Sequence, residues 1–254
     1  MGIKFRSNQI GPWHTKINAP VEQGLEGWFT FDTDAKRFFF NRAKGKADGI
    51  IVGTPVAYPT HGRFKGLANF IKTAIRETDG QTLIVVGKAA SPIPADASTT
   101  GDGNTPFYVG NYRGTSVTEG VSGTAYGTSL YHVRPNSLTG GSTRLGSSGA
   151  ATSAAHSLGA GELATEWGIR ALRSSSSMLT KVQNLTRNTV LQGTDGASRV
   201  LSDSVFQIGS GSAAFGGEVD ISAVAIYSRA LTDTELSEVA AAMRKRMLRL
   251  GINV

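Results

Sequence analysis

Short stretches of this chain alternate apolar and polar positions with the period of a strand, and its last part carries the period of a helix. Residues 217–227 read Gly-Glu-Val-Asp-Ile-Ser-Ala-Val-Ala-Ile-Tyr. In an extended chain Val219, Ile221, Ala223, Ala225 and Tyr227 share one face, and Val224 and Ile226 make the other face apolar too. Such a strand is expected inside a sandwich, covered on both sides. Further strands are predicted over 24–32, 49–53, 81–88, 106–111, 127–133, 166–171, 178–182, 189–192 and 205–208, with a shorter island at 143–145. Phe38-Phe39-Phe40 also reads as a strand. Residues 62–78 are ambiguous, because a helical period through Phe64, Leu67, Ala68, Ile71, Ala74 and Ile75 is interrupted by Gly66 and lacks good caps. The stretch from 89 to 161 is poor in charge and rich in Gly, Ser and Thr. Its regular Phe107, Tyr108, Val109, Tyr112, Tyr126, Leu130 and Tyr131 indicate long loops between strands rather than a solvated linker.

Residues 232–250 are predicted as a helix. Thr232 with Glu235 three residues on makes a capping box, and Leu231 and Leu236 have the spacing of a hydrophobic staple. Leu236, Val239, Ala240, Met243, Met247 and Leu250 form one stripe, and Gly251 suits the residue that ends the helix. Arg244, Lys245, Arg246 and Arg249 fall where the helix dipole favours cations.

The run Gly217-x-Val-Asp220-x-x-x-x-x-Ile-Tyr227-x-Arg229-Ala-Leu231-Thr232-Asp-x-Glu235-Leu236 resembles the closing signature of laminin-G-like jelly rolls in the concanavalin A-like lectin/glucanase superfamily. The resemblance is specific over residues 217–236. It implies a two-sheet antiparallel sandwich and reads Gly217, Asp220, Tyr227, Arg229, Leu231, Thr232 and Glu235 as structural. It matches 24–32 to the family's opening strand and favours a strand near 68–73. Trp167 matches a family tryptophan that packs into the core. Glycan-cleaving relatives carry a further Glu after Glu-x-Asp on one strand; here Ser222 and Ala223 follow Glu218-x-Asp220, so hydrolysis is disfavoured.

Composition narrows the setting. The 32 glycines and 18% charged residues suit many short strands with tight turns. No cysteine is present, which excludes disulfides and thiolate chemistry. No run approaches the ~18 apolar residues of a membrane span, and residues 1–20 lack the apolar core of a signal peptide. The net charge of +7 favours acidic partners, or serves solubility alone.

Candidate chemistry is sparse. Tyr108, Tyr112, Tyr126 and Tyr131, with Asn111 and Arg113 nearby, offer the aromatic faces and polar groups that sugar recognition uses, although some of these tyrosines are expected in the core. No cofactor is required. Calcium is admitted by the resemblance, with Asp102 and Asn104 as oxygen donors and Asp32-Thr33-Asp34 as a second pair; either pair reads more simply as an Asx turn. The histidines are isolated in sequence. The basic and aromatic run 36–46 matches no nucleic-acid motif, so nucleic acid is not an expected partner.

The expected fold is therefore all-β, a two-sheet antiparallel jelly-roll sandwich of concanavalin A-like type with a C-terminal helix. It comprises an arm over 1–20, the sandwich over 21–231 and the helix over 232–254. The absence of cysteine and of a signal peptide, with an arm and one compact domain, suits a bacteriophage virion protein made in the host cytoplasm. The expected role is non-enzymatic: a tail-fibre, decoration or baseplate protein that self-associates through residues 1–20, contacts other virion proteins and adheres to host surface polysaccharide. The alternatives are an assembly subunit without glycan binding and, after it, a glycan hydrolase.

Overall fold

The computed structural model describes residues 16–98, 100–159, 161–196, 198–211 and 215–254. In chain order the strands are β1 (Leu25–Thr30), β2 (Ile50–Val52), β3 (Val56–Ala57), β4 (Gly62–Lys65), β5 (Phe70–Arg76), β6 (Gln81–Ala89), β7 (Phe107–Gly110), β8 (Gly114–Thr115) and β9 (Thr124–Ala125). They continue as β10 (Ser129–Arg134), β11 (Ser137–Leu145), β12 (Ala151–Leu158), β13 (Gly168–Ser175), β14 (Met178–Asn184), β15 (Thr189–Gln192), β16 (Val205–Ile208) and β17 (Glu218–Tyr227), and helix α1 (Asp233–Arg249) closes the series. One antiparallel sheet has the order β15-β14-β13-β6-β17-β4-β3, with β1 also paired to β17. The second runs β12-β11-β10-β7-β16-β5-β2. The all-β sandwich with one C-terminal helix is thus the observed architecture. Among the described residues no helix is long and apolar enough to cross a membrane.

The first sheet is covered on both faces. Between the sheets lie Phe29, Phe31, Phe64, Leu83, Val85, Val109, Leu130, Leu172 and Phe206. A second core, built from Trp28, Ile84, Val86, Ile169, Ala171 and the helix residues Leu236, Val239, Ala240, Met243 and Met247, lies between the first sheet and α1. Strand β17 serves both cores, but not by simple alternation. A register shift between Ile221 and Ala223 makes Ser222 an extra residue against β6. Parity therefore changes along the strand: Val219, Ile221, Val224 and Ile226 face the second sheet, whereas Ala223, Ala225 and Tyr227 face the helix.

Several expectations change. Residues 62–78 form two strands joined by a turn, which resolves their ambiguity in favour of strands. Phe38-Phe39-Phe40 is not a strand; it follows a 3-10 turn over Ala35–Arg37, capped by Asp34, and sends Phe38 into the core. The island at 143–145 is the end of a nine-residue strand, β11, and its partner β12 falls where a loop was expected. Gly140 hid this strand. A Cβ there would lie 2.4 Å from Leu172 Cδ1, so close packing of the sheets selects glycine against strand propensity.

Residues 1–15 of the expected arm lie outside the described residues. Residues 16–20 run along the sandwich, where Ile17 N donates to Arg42 O at 2.8 Å and Ala19 is buried. Much of the basic run 36–46 is held in ion pairs, Arg37 with Asp34, Lys44 with Glu22 and Lys46 with Glu26.

The helix start has the predicted punctuation. Thr232 Oγ1 accepts from Glu235 N at 3.2 Å, and Thr232 N donates to Glu235 Oε2 at 2.9 Å. Leu231 and Leu236 are both buried beside the box. Arg229 grips the same carboxylate with both terminal nitrogens and donates from Nε to Gln23 O, tying the helix start to the chain entering β1. These bonds hold the Glu235 carboxyl down to about 2. At the far end, Ile252 N reaches Met247 O and Gly251 N reaches Leu248 O, a Schellman ending with Gly251 at φ 77°. Glu235→Ala is expected to lower unfolding stability by about 1–2 kcal/mol, measured by urea denaturation. Glu235→Gln, which keeps an acceptor for the Thr232 amide, should lose less.

Candidate functional site

The tyrosines proposed for sugar binding divide between the faces of the second sheet. Tyr108 points inward and is fully buried. Its hydroxyl lies 2.8 Å from His132 Nδ1, and His132 Nε2 lies 3.0 Å from Glu162 Oε1. Arg170 Nε donates to that oxygen at 2.6 Å, and Asn184 Nδ2 donates to Oε2 at 2.6 Å. The chain of bonds calls for a His132 protonated on Nε2, accepting from Tyr108 and donating to Glu162. Tyr108 is therefore no sugar platform, because its ring and hydroxyl are locked between the sheets.

Asn111 is also buried and acts as a spacer. Its Oδ1 accepts from Thr128 N at 2.6 Å, and Nδ2 donates to Glu77 Oε2 at 3.2 Å and to Ser204 O at 3.3 Å. Glu77 is itself fixed by Arg199, Thr128 Oγ1 and Ser202 N. This buried network anchors the loop that carries the next two residues, Tyr112 and Arg113.

Tyr112, Tyr126 and Tyr131 come together on the other face of the second sheet. Tyr131 is nearly covered and stacks on Phe107, with ring centroids 5.8 Å apart and planes 6° from parallel. Phe215 packs against Phe107, Tyr131 and Tyr112, each at 4.9 Å. Burial pushes the Tyr131 hydroxyl up to about 12. Tyr112 and Tyr126 form the accessible rim, 6.0 Å apart and tilted by 45°, beside the exposed Arg113. Ser204 Oγ donates to Arg113 O at 3.0 Å, which holds the rim to β16. Of the six proposed residues, Tyr112, Arg113 and Tyr126 are thus exposed together, Asn111 and Tyr131 support them from beneath, and Tyr108 is separate.

The signature residues have structural surroundings. Asp220 is buried on the helix-side face of β17, directly opposite Arg63 on one side and Lys88 on the other. Arg63 donates to both carboxylate oxygens, from Nε at 2.8 Å and from a terminal nitrogen at 3.1 Å. His61 Nε2 and Lys88 Nζ stand farther off, at 3.5 and 3.8 Å. Trp167 is only half-buried: it touches the helix-side core while Lys88 lies over its ring and His61 meets it edge-on. The core position implied by the resemblance holds for one face of that ring. Tyr227 is buried and donates to Val21 O at 3.1 Å. Ser222 is buried as well, donating to Thr60 O and accepting from Arg246.

The calcium candidates do not fit a cation. Asp102 accepts from Ser98 N on Oδ2 and from Asn104 N on Oδ1, so N–H groups already point at its carboxylate, the pattern of an Asx turn. These bonds hold the Asp102 carboxyl below its usual range. Asp32 is bonded by Arg246 and Asp34 caps the 3-10 turn. Among the described residues no three His, Cys, Asp or Glu side chains converge.

Sequence reasoning passed over one concavity. A groove of about 520 Å³ runs between α1 and the strands β14 and β15, lined in part by Lys181, Gln183, Asn188, Ser237 and Arg244. Its only signal was the alternation of Lys181 and Gln183 around the buried Val182, which puts both polar side chains on one face of β14.

No family model matches the sequence, and no curated protein does. Among solved structures, the chain is similar to Trypanosoma rangeli sialidase, with 15% identity and a TM-score of 0.57 over 87% of this chain and 33% of that one. It is similar to the receptor binding domain of botulinum neurotoxin D, with 10% identity and a TM-score of 0.58 over 88% of this chain and 54% of that one. A third is the binding domain of botulinum neurotoxin DC in complex with SialylT, with 8% identity and a TM-score of 0.56 over 87% of this chain and 52% of that one. The chain spans a third to about half of the length of these structures. At such identities the likeness is one of fold alone, a two-sheet jelly-roll sandwich. It corrects one expectation: enzymes, the sialidases, stand among the matching structures beside the toxin binding domains, so the expected non-enzymatic role is overturned.

The buried His132–Glu162 pair makes stability depend on pH. Burial, outweighing the attraction of Glu162, pushes the His132 imidazole from 6.5 down to about 4. Burial alone would raise the Glu162 carboxyl, but the His132 hydrogen bond and the Arg170 charge hold it down to about 2. Both groups are depressed in the folded state, so their contributions are complete above about 6.5 and are lost on acidification, that of His132 between 6.5 and 4. Urea midpoints are expected to fall over this range by an amount worth roughly 3 kcal/mol from His132. His132→Gln should be less stable at pH 7 but show a shallower acid decline; an equally steep decline would remove His132 as its cause.

Proposed function

We propose that this sandwich is a glycan-binding domain of a bacteriophage particle, engaging host surface polysaccharide at the rim formed by Tyr112, Arg113 and Tyr126. The observation that carries the reading is the half-exposed tyrosine pair, 6.0 Å apart and tilted by 45°, beside an exposed guanidinium. Two aromatic faces at an angle cradle the apolar face of a pyranose, while Arg113 supplies forked donors to hydroxyl or carboxylate oxygens. The rim is rigid, because Phe107, Tyr131 and Phe215 bed it from below and Asn111 pins its loop to Glu77. A preformed rim loses little freedom when sugar binds.

The fold likeness supports the same reading, since one similar toxin binding domain was solved in complex with SialylT. The particle setting rests on the cysteine-free composition and the basic charge of +7, which suits an acidic cell surface. Residues 1–20 are proposed to join the chain to itself and to other virion proteins.

On an array of sialylated and bacterial surface glycans, the wild-type chain should bind at least one class. Tyr112→Ala and Tyr126→Ala should each weaken that binding by about tenfold, equivalent to the ~1.4 kcal/mol of one stacking partner, with circular dichroism unchanged. A folded wild-type chain that binds no glycan on the array would sink the reading. Mass spectrometry of purified particles tests the setting, and removal of residues 1–15 should lower the oligomeric state seen by light scattering.

A further inference from the structure

Of the strands that end the two large sheets, β2 has three residues, β3 two and β15 four, whereas β12 has eight. An unpaired edge invites other strands, and proteins blunt it with shortness, charge, proline or a bulge. Shortness blunts β2, β3 and β15. β12 carries none of these devices. It pairs with β11 without irregularity from Leu138↔Leu158 to Leu145↔Ala151, and it contains neither proline nor a charged residue. His156, its only titratable side chain, turns to Asp195 in the loop after β15, with Nε2 2.9 Å from Oδ1.

The free backbone groups of this edge follow from the bonds of its neighbour. Thr143 O accepts from Val200 N and Leu145 N donates to Ser198 O, so the odd-numbered residues of β11 bond away from β12. Gly146 N donates to Ala150 O across the connecting turn, which fixes the same phase. In an antiparallel ladder the residues opposite them also turn away from the pair. Ala151, Ser153, Ala155 and Ser157 therefore direct their N–H and C=O groups out of the sheet edge. None of these groups bonds another described residue, and Ser153, Ala155 and Ser157 are exposed.

We infer that β12 pairs antiparallel with β12 of a second copy of this chain, about a twofold axis at Ala154. That axis sets Ala151 opposite Ser157 and Ser153 opposite Ala155 of the other copy. Every outward N–H and C=O then finds a partner, about eight hydrogen bonds in all. A twofold at any other residue leaves some of them unpaired. An identical strand without charge meets no like-charge repulsion, which is what a lysine or glutamate on it would bring. The side chains set opposite one another on the exposed face are Ala and Ser, too small to hold the strands apart. Because the axis is perpendicular to the sheet, both copies turn the outer face of the second sheet the same way. The dimer thus presents both tyrosine rims to one surface, a bivalency that rests on the glycan reading of the rim, whereas the pairing of β12 does not.

Sedimentation velocity of the full chain over a concentration series tests the pairing. The wild-type chain should form dimers at ~100 μM or below. Ala155→Pro removes an N–H that bonds nothing within one copy and that an edge strand can lose, so it should weaken the dimer at least tenfold with circular dichroism unchanged. Ser153→Lys, which puts a charge on the edge, should do the same. The natural chain has no cysteine, so single cysteines report proximity cleanly. Residues on the axis form a non-bonded pair with Cα atoms about 4.5 Å apart, and Ala154→Cys should therefore join two copies by a disulfide under mild oxidation. Ser148→Cys, exposed in the turn before β12, should not. Tyr112→Ala should leave dimerisation unchanged, so the pairing and the rim succeed or fail separately. The inference is overturned if the wild-type chain stays monomeric over the series, or if both edge variants dimerise as tightly as it does, since association then runs through another surface. Cross-linking of Ser148→Cys as fast as that of Ala154→Cys would overturn it too.

Discussion

Strand β17 must satisfy two cores at once, and the rest of the architecture adjusts to that constraint. Nine of its ten residues are buried, so neither face can be polar at no cost. The extra residue at Ser222 lets bulky Val and Ile side chains fill the space between the sheets along the strand's whole length. The same shift leaves Ala223 and Ala225 facing outward, where small side chains allow α1 to lie close. Ser222 itself, displaced from the ladder with β6, uses its hydroxyl to bind Thr60 and receive Arg246 from the helix. The irregularity that reconciles the two cores thus also joins helix, sheet and loop.

Buried carboxylates provide a second kind of order. Glu162, Glu77 and Asp220 each hold an arginine, and each sits where chain segments distant in sequence meet. Removing one partner of such a pair strands the other, so these positions define which segments must be together as sharply as apolar packing does. Their effect reaches the surface through Asn111, which couples Glu77 to the loop of Tyr112 and Arg113. The rim is an aromatic surface supported from below by Phe107, Tyr131 and Phe215.

Much of the fold was legible in the sequence because its strongest elements obey local rules. The helix has box, staple, stripe and terminal glycine, each recognisable without tertiary knowledge, and β15 and β16 matched their alternating runs. The failures are physical. β11 is built from Ser, Thr and Gly because Gly140 faces Leu172 across a narrow gap, so packing rather than propensity decides it. The face assignment of β17 depended on a bulge that no periodicity shows. Tyr108 and Tyr112 stand only four residues apart and look alike in sequence; one is locked between the sheets, and the other is on the rim. The groove depends on how far α1 extends over the sheet, a relation among segments that no local pattern records.

The position of β17 in the chain has a consequence for how the molecule comes into being. It pairs with β1, β4 and β6, which precede it by more than a hundred residues, and it follows every other strand in synthesis. A nascent chain therefore carries the halves of both cores without the strand that closes them. Its earlier segments can form hairpins such as β10–β11 and β13–β14, but the central gap stays open until translation has passed Tyr227. Assembly dominated by such distant pairings is slow, and the waiting edges of β1, β4 and β6 are exposed to foreign strands in the interval. For this protein, protection of an unfinished sheet during synthesis is a requirement written into the order of its strands.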